Sequence, residues 1–207
     1  MMNEPDPRWM RSRQTLIAAV TNLLDAGVTP TITDVVEAAA VSRPTFYQHF
    51  GDLPTAFREA GLTRVRRHFD PVDAASERGD VSRDTAFAHA TMTGLLTHLR
   101  DHLDFYRFVL AAAGDRLLTI AVTDYVAERI IRFSPFGAPY RDRPEQTTAD
   151  QVEALSAGIF HLIVSWLNRP TPEPPADMAD RLIAVMAAFA GVHEPAPRTP
   201  TRSAESR

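Results

Sequence analysis

The chain has 207 residues, 44% of them hydrophobic, with a formal charge of −4 and no cysteine. That length holds one substantial helical body plus a small module, or two modest domains sharing an interface. The cysteine count excludes a disulfide framework, a thiol redox switch and a thiolate metal site, and the negative charge argues against indiscriminate coating of nucleic acid while leaving room for a locally basic face.

The charge is unevenly spread. Between Arg8 and Phe69, eight arginines stand against five acidic residues, so this window is net +3 and the remainder carries the acidity. The amino terminus is polar before Trp9, and no apolar run approaches the ~20 residues needed to span a bilayer. These features lead to the expectation of a soluble, cytoplasmic protein with no membrane partner.

From Trp9 to Leu24, the residues Leu16, Ile17, Val20, Leu23 and Leu24 recur at helical spacing, and Gly27 supplies a stop. Thr31 and Thr33 both precede helix-forming sequence. Thr33 as cap would put Glu37 beyond capping-box spacing, whereas Thr31 pairs with Asp34 in chemistry only, so the cap stays open between them. The stretch from Thr33 to Phe50 then packs two short helix signals around one tight connection, a helix-turn-helix pattern. In its second half Phe46 and Phe50 recur four apart as a buried face, leaving Ser42, Arg43, Thr45, Tyr47, Gln48 and His49 as hydrogen-bonding groups on the outside. A helix of this kind fits a major groove, where base edges are distinguishable.

A short loop at Gly51-Asp52 opens a fourth helix through Leu53, Phe57 and Leu62, with Pro54 admissible in its first turn. The polar segment from Pro71 to Val81 is expected to connect module and body. Further helices are expected over 83–100, 103–112, 115–132, 147–168 and 177–192, with a loop from Ser134 to Pro144. The proline-bearing tail from Glu194 to Arg207 is expected to be disordered. Strand-like alternation is scarce, which makes the fold class all-α. In Val152–Leu167, apolar residues surround much of the helix, and Leu182, Ile183, Val185, Met186 and Phe189 give the next helix a broad apolar face. A two-fold bundle of these helices from two subunits would bury both surfaces, making a homodimer the favoured assembly.

The segment Thr31-Ile-Thr-Asp-Val-Val-Glu-Ala-Ala-Ala-Val-Ser-Arg-Pro-Thr-Phe-Tyr-Gln-His-Phe-Gly-Asp-Leu53 closely resembles the amino-terminal module of the tetracycline-repressor (TetR) family. The likeness extends more weakly through Leu23–Gly27 and Phe57, while the carboxy-terminal body agrees in length and helical character. The resemblance implies a three-helix DNA-binding module over residues 8–55 and a larger helical ligand-binding and dimerisation domain over 56–193, followed by the tail at 194–207. It further implies a homodimeric repressor that leaves a palindromic double-stranded operator when a small molecule fills the larger domain.

On that resemblance, Ser42 to His49 form the reading helix, with Arg43, Pro44 and Thr45 at its groove-facing beginning. Arg43 can pair its planar fork with guanine O6 and N7, Thr45 can meet a base acceptor or a thymine methyl, and Gln48 either reads adenine or remains solvent-facing. Tyr47 and His49 match positions used near phosphates, and Thr33 matches a phosphate-contacting position at the start of the preceding helix. Two departures stand out. Ala40 occupies a turn position where glycine is common, which is harmless if its φ stays negative. The usual lysine is absent from Gly51-Asp52-Leu53-Pro54, and Arg8, Arg11 or Arg13 are candidates to replace its phosphate contact.

In the body, Phe105, Tyr106, Phe133 and Phe160 are candidates to line an apolar chamber for a small apolar or amphipathic ligand, with ordinary core packing as the alternative. His161 interrupts the apolar run of the proposed dimer helix and is a candidate polar group in that pocket, or a satisfied interface histidine. His98 and His102 lie one turn apart beside Asp101 and Asp104, a spacing that suits a metal only if a third ligand converges; a hydrated polar surface is the expected reading. No phosphate-cradling glycine loop or nucleophile-base motif is present, so no catalytic residue, metal or cofactor is assigned. The competing functions are a ligand-independent DNA-binding activator or structural regulator, and a helical enzyme with a DNA-targeting module.

Overall fold

The computed structural model describes residues 6–79, 84–113, 115–141 and 146–191, and these residues form helices and turns with no strand among them. The expected tail at 194–207 lies outside the described residues.

Helix α1 spans Pro7–Asp25, with Asp6 accepting a hydrogen bond from the Arg8 amide at 2.8 Å and proline in the first turn. Helix α2 covers Ile32–Ala38 and α3 covers Arg43–Phe50. Thr31 is the cap of α2: its hydroxyl accepts from the Asp34 amide at 3.3 Å while the Asp34 carboxylate accepts from the Thr31 amide at 2.8 Å. Aspartate thus performs the role usually given to glutamate in a capping box. The module closes because Leu16, Val20, Val35 and Phe46, one or two from each helix, are fully buried against one another. Burial of the Phe46 ring alone stabilises this arrangement by about 1.5–3 kcal/mol.

Helix α3 stops at Gly51, whose φ of +74° turns the chain while its amide still reaches the Tyr47 carbonyl at 3.0 Å. Asp52 then caps α4, accepting from the Thr55 amide at 2.8 Å. Helix α4 runs from Leu53 to Glu77 and so takes in the first part of the segment from Pro71 expected to be a connection, with a turn at Arg78-Gly79. Pro71 lies inside it, although an interior proline removes a backbone hydrogen bond and costs about 3 kcal/mol. Side chains on both sides of Pro71 hold the helix on: Phe69 is buried before it, and Asp73 after it forms an ion pair with Arg129. Tertiary packing overrides the local signal.

The body consists of α5 (Thr85–Asp101), α6 (Leu103–Ala112), α7 (Asp115–Phe133), α8 (Ala138–Arg141), α9 (Gln146–Leu167) and α10 (Pro175–Phe189). Helix α5 packs along α10 and α7 along α9, while α4 touches α1, α5, α6 and α7. Gly61 permits the close approach of α4 to α6, since a Cβ there would stand 2.9 Å from the Val109 side chain. The expected loop from Ser134 instead contains a 3-10 turn, Pro135–Gly137, and the short α8, from which the Tyr140 hydroxyl donates to the Phe189 carbonyl at 3.1 Å. After α9, Trp166 Nε1 donates to the Glu173 carbonyl and Arg107 donates to the carbonyls of Leu167 and Arg169, fixing the turn into α10.

Candidate nucleic-acid interface and ligand chamber

The outward face of α3 follows from its inward one. With Phe46 and Phe50 committed to the core, Arg43, Pro44, Tyr47 and Gln48 are exposed, and Tyr47 keeps 51% of its surface open. Ser42 caps the helix: its hydroxyl accepts from the Thr45 amide at 3.3 Å and shares a hydrogen bond with the Thr45 hydroxyl at 2.8 Å. Arg43 donates to the Thr33 hydroxyl, so these two side chains adjoin where α2 and α3 meet. Ala40 adopts φ +52° in the turn between those helices, so the negative φ that would make alanine harmless there is not met.

His49 stands apart from this face. Its Nε2 lies 2.7 Å from the Ser12 hydroxyl and its ring 4.6 Å from that of Trp9, tying α3 to the start of α1. Its Nδ1 is buried without a hydrogen-bond partner, and burial holds the imidazole pKa below its ordinary value. Arg13, a candidate phosphate contact, is paired with Glu59, whereas Arg8 and Arg11 are exposed.

The body forms a half-open pocket of about 180 Å³ between α4, α5, α6, α7 and α9, with Met186 of α10 also on its wall. Tyr106, Phe133 and Phe160 contribute to its wall, as do Phe69, Phe87 and Met92. Phe105 is not part of that wall: it is 3% exposed, edge-on to Tyr106, with the Arg64 guanidinium 4.5 Å above its ring. His161 lies on the exposed side of α9, likewise away from the cavity.

Two groups on the cavity wall escaped the sequence reading. Arg129 lies over the rings of Phe69 and Phe133, at 4.0 and 4.4 Å, and pairs with Asp73. Tyr125, one turn earlier, has its phenol pushed up to about 12 by burial. The four-residue spacing of Tyr125, Arg129 and Phe133 was available as a signal, but spacing alone does not say which side of α7 meets a void.

Asp101 and Asp104 are exposed, as a hydrated surface requires, but His98 and His102 are half-buried. They pack with His68, at ring separations of 4.6 Å for His68–His98 and 4.9 Å for His98–His102. Among the described residues no group of three or more His, Asp or Glu side chains is placed to hold a metal. Instead the cluster joins a polar chain. The Tyr106 hydroxyl lies 2.9 Å from His98 Nε2, His102 Nδ1 lies 2.8 Å from an Arg64 nitrogen, and Arg64 donates to Asp25 at the end of α1 at 2.7 Å. Burial, then the neighbouring histidines and Arg64, depress His98 to about 4, leaving it neutral near pH 7. The chain runs from the cavity wall to the helix-turn-helix module.

The chain is similar to known transcriptional regulators. Residues 88–188 match a TetR-type family described as the C-terminal region of transcriptional regulators. The chain is 30% identical over 164 residues to the HTH-type transcriptional regulator AlkX of Mycobacterium tuberculosis, covering 79% of this chain and 76% of that protein. A crystal structure of a TetR-family regulator from Mesorhizobium loti covers 90% of this chain and 98% of its own at 14% identity, with a TM-score of 0.45.

Proposed function

This chain belongs to the TetR family of DNA-binding transcriptional regulators, which are not enzymes, and from that premise we propose that it is a homodimeric repressor released from a palindromic operator by a small apolar or amphipathic ligand. The single observation that carries the reading is the exposed face of α3, with Arg43, Pro44, Tyr47 and Gln48 directed outward from the buried Phe46 and Phe50. Residues 8–55 act as the reading module and 56–193 as the ligand-binding and dimerisation body. Arg43, Thr45 and Gln48 face bases; Tyr47 and Thr33 meet phosphates. Ser42 sets the start of the helix by capping it, and His49 sets its angle through Ser12 and Trp9.

The ligand reading is supported by the apolar chamber and by the contacts leading from Tyr106 through His98, His102 and Arg64 to Asp25. A ligand acts on such a chain only if it binds the DNA-competent and DNA-incompetent arrangements unequally. Dimerisation by α9 and α10 is supported by the outer sides they leave: Ala154, His161 and Ser165 on α9 and Ala184, Ala188 and Phe189 on α10 are exposed in the single chain.

The test is a salt-matched titration of a selected duplex and its scrambled counterpart. Arg43→Ala is expected to lose about 1–3 kcal/mol on the specific duplex and much less on the scrambled one. Tyr47→Phe is expected to weaken both alike, as a phosphate contact would. Equal losses for Arg43→Ala on the two duplexes would defeat its assignment to a base.

A further inference from the structure

We propose that the chamber selects an uncharged, chiefly hydrocarbon molecule carrying one hydroxyl or carbonyl oxygen, and rejects fatty acids and alkylammonium ions of the same length. The inference deepens the ligand-release reading and rests on it.

The argument is one of charge balance. Among the described wall residues Arg129 is the one that carries a formal charge, and that charge is already met by Asp73 from the neighbouring α4. Phe69 and Phe133 both lie against the guanidinium and the Arg129 side chain is 12% exposed, so an ion placed beside it is less screened than in bulk water. A ligand carboxylate would bring a second negative charge to one arginine, either displacing Asp73 or sharing its cation in a low-dielectric site. An ammonium would meet the arginine's own charge with no carboxylate of the wall to receive it. A neutral oxygen has neither cost. Guanidinium has five N–H donors, and those not engaged by Asp73 can serve one acceptor.

The other polar groups of the wall agree with a neutral occupant. The Tyr106 hydroxyl is engaged with His98, which burial keeps neutral, and the Ser134 hydroxyl accepts from the Phe136 amide at 3.1 Å. Tyr125 remains protonated and beside Arg129 on the same helix face, offering a hydroxyl but no charge. The rest of the lining is aliphatic or aromatic apart from Thr91, so hydrocarbon fills most of the space.

Three probes of equal chain length separate the terms: 1-octanol, octanoate and octylammonium, titrated calorimetrically into the full chain at neutral pH. The expected order is octanol first, with each ion about tenfold weaker or more. Asp73→Asn leaves Arg129 unpaired and is expected to tighten octanoate about tenfold while changing octanol little. Arg129→Met provides a second variant, in which octanol weakens severalfold and octanoate gains nothing. Octanoate binding the unaltered protein as tightly as octanol would overturn the charge argument and leave the ligand chamber standing. Failure of all three probes to bind would overturn the ligand-release reading itself.

Discussion

Ala40 occupies a left-handed turn, φ +52°, between α2 and α3, a conformation in which an L side chain is strained and glycine is not. The residue is exposed, so its methyl group contributes little packing in return. Replacing it with glycine relieves about 1–2 kcal/mol of strain and gives back about 0.4–1 kcal/mol through the freer unfolded chain. Ala40→Gly is therefore expected to stabilise the fold by about 0–1.6 kcal/mol and so to raise the midpoint of urea unfolding; a lowered midpoint would show that the turn has another conformation. The neighbouring residues explain what sequence could and could not reveal at this scale. Phe46 and Phe50 declared themselves by spacing, because a short amphipathic helix has one apolar side to bury. The role of His49 depended on Ser12 and Trp9, which lie 37 and 40 positions earlier and meet it only after α1 folds across the module.

At the scale of elements, α4 is the member that joins the two functional regions. Its first turns pack Ala56, Phe57 and Ala60 into the core, its middle approaches α6 at Gly61, and its far end meets the chamber through Phe69. Pro71 hid this continuity, since a local rule that ends helices at proline cannot see Arg129 reaching across from α7. The positions of α5, α7, α9 and α10 were legible from periodicity, as was the all-helical class. The side on which each aromatic pointed was not: Phe105 and Tyr106 are sequence neighbours on a helix with apolar residues on more than one side, and only the packing of α4 and α5 decides that Tyr106 meets the void. The polar chain starting at Tyr106 gives a ligand-free test of communication along this path. Tyr106→Phe and Asp25→Asn alter opposite ends, which do not touch each other, so independent ends would give additive losses of stability within about 0.3–0.5 kcal/mol. A larger non-additive term is expected in thermal or urea unfolding of the double variant. Strict additivity would mean that the contacts are in series but not coupled.

At the scale of the whole molecule, the proposed function requires two copies and one duplex. The net charge of −4 is no obstacle, because the arginine-rich window from Arg8 to Phe69 carries net +3 while the body holds the acidity away from the DNA. A single α3 of eight residues reads too few base pairs to single out a site. Two of them, related by a two-fold axis through α9 and α10, would meet successive major-groove faces about 34–36 Å apart. The most direct measurement is selection of bound sequences from a random duplex library by the full-length protein, followed by sedimentation of the complex on the enriched duplex. The account predicts an inverted repeat with half-sites centred about one helical turn, or a multiple of it, apart, bound by an even number of protomers. Enrichment of no sequence, or of a single asymmetric site bound by one protomer, would contradict it.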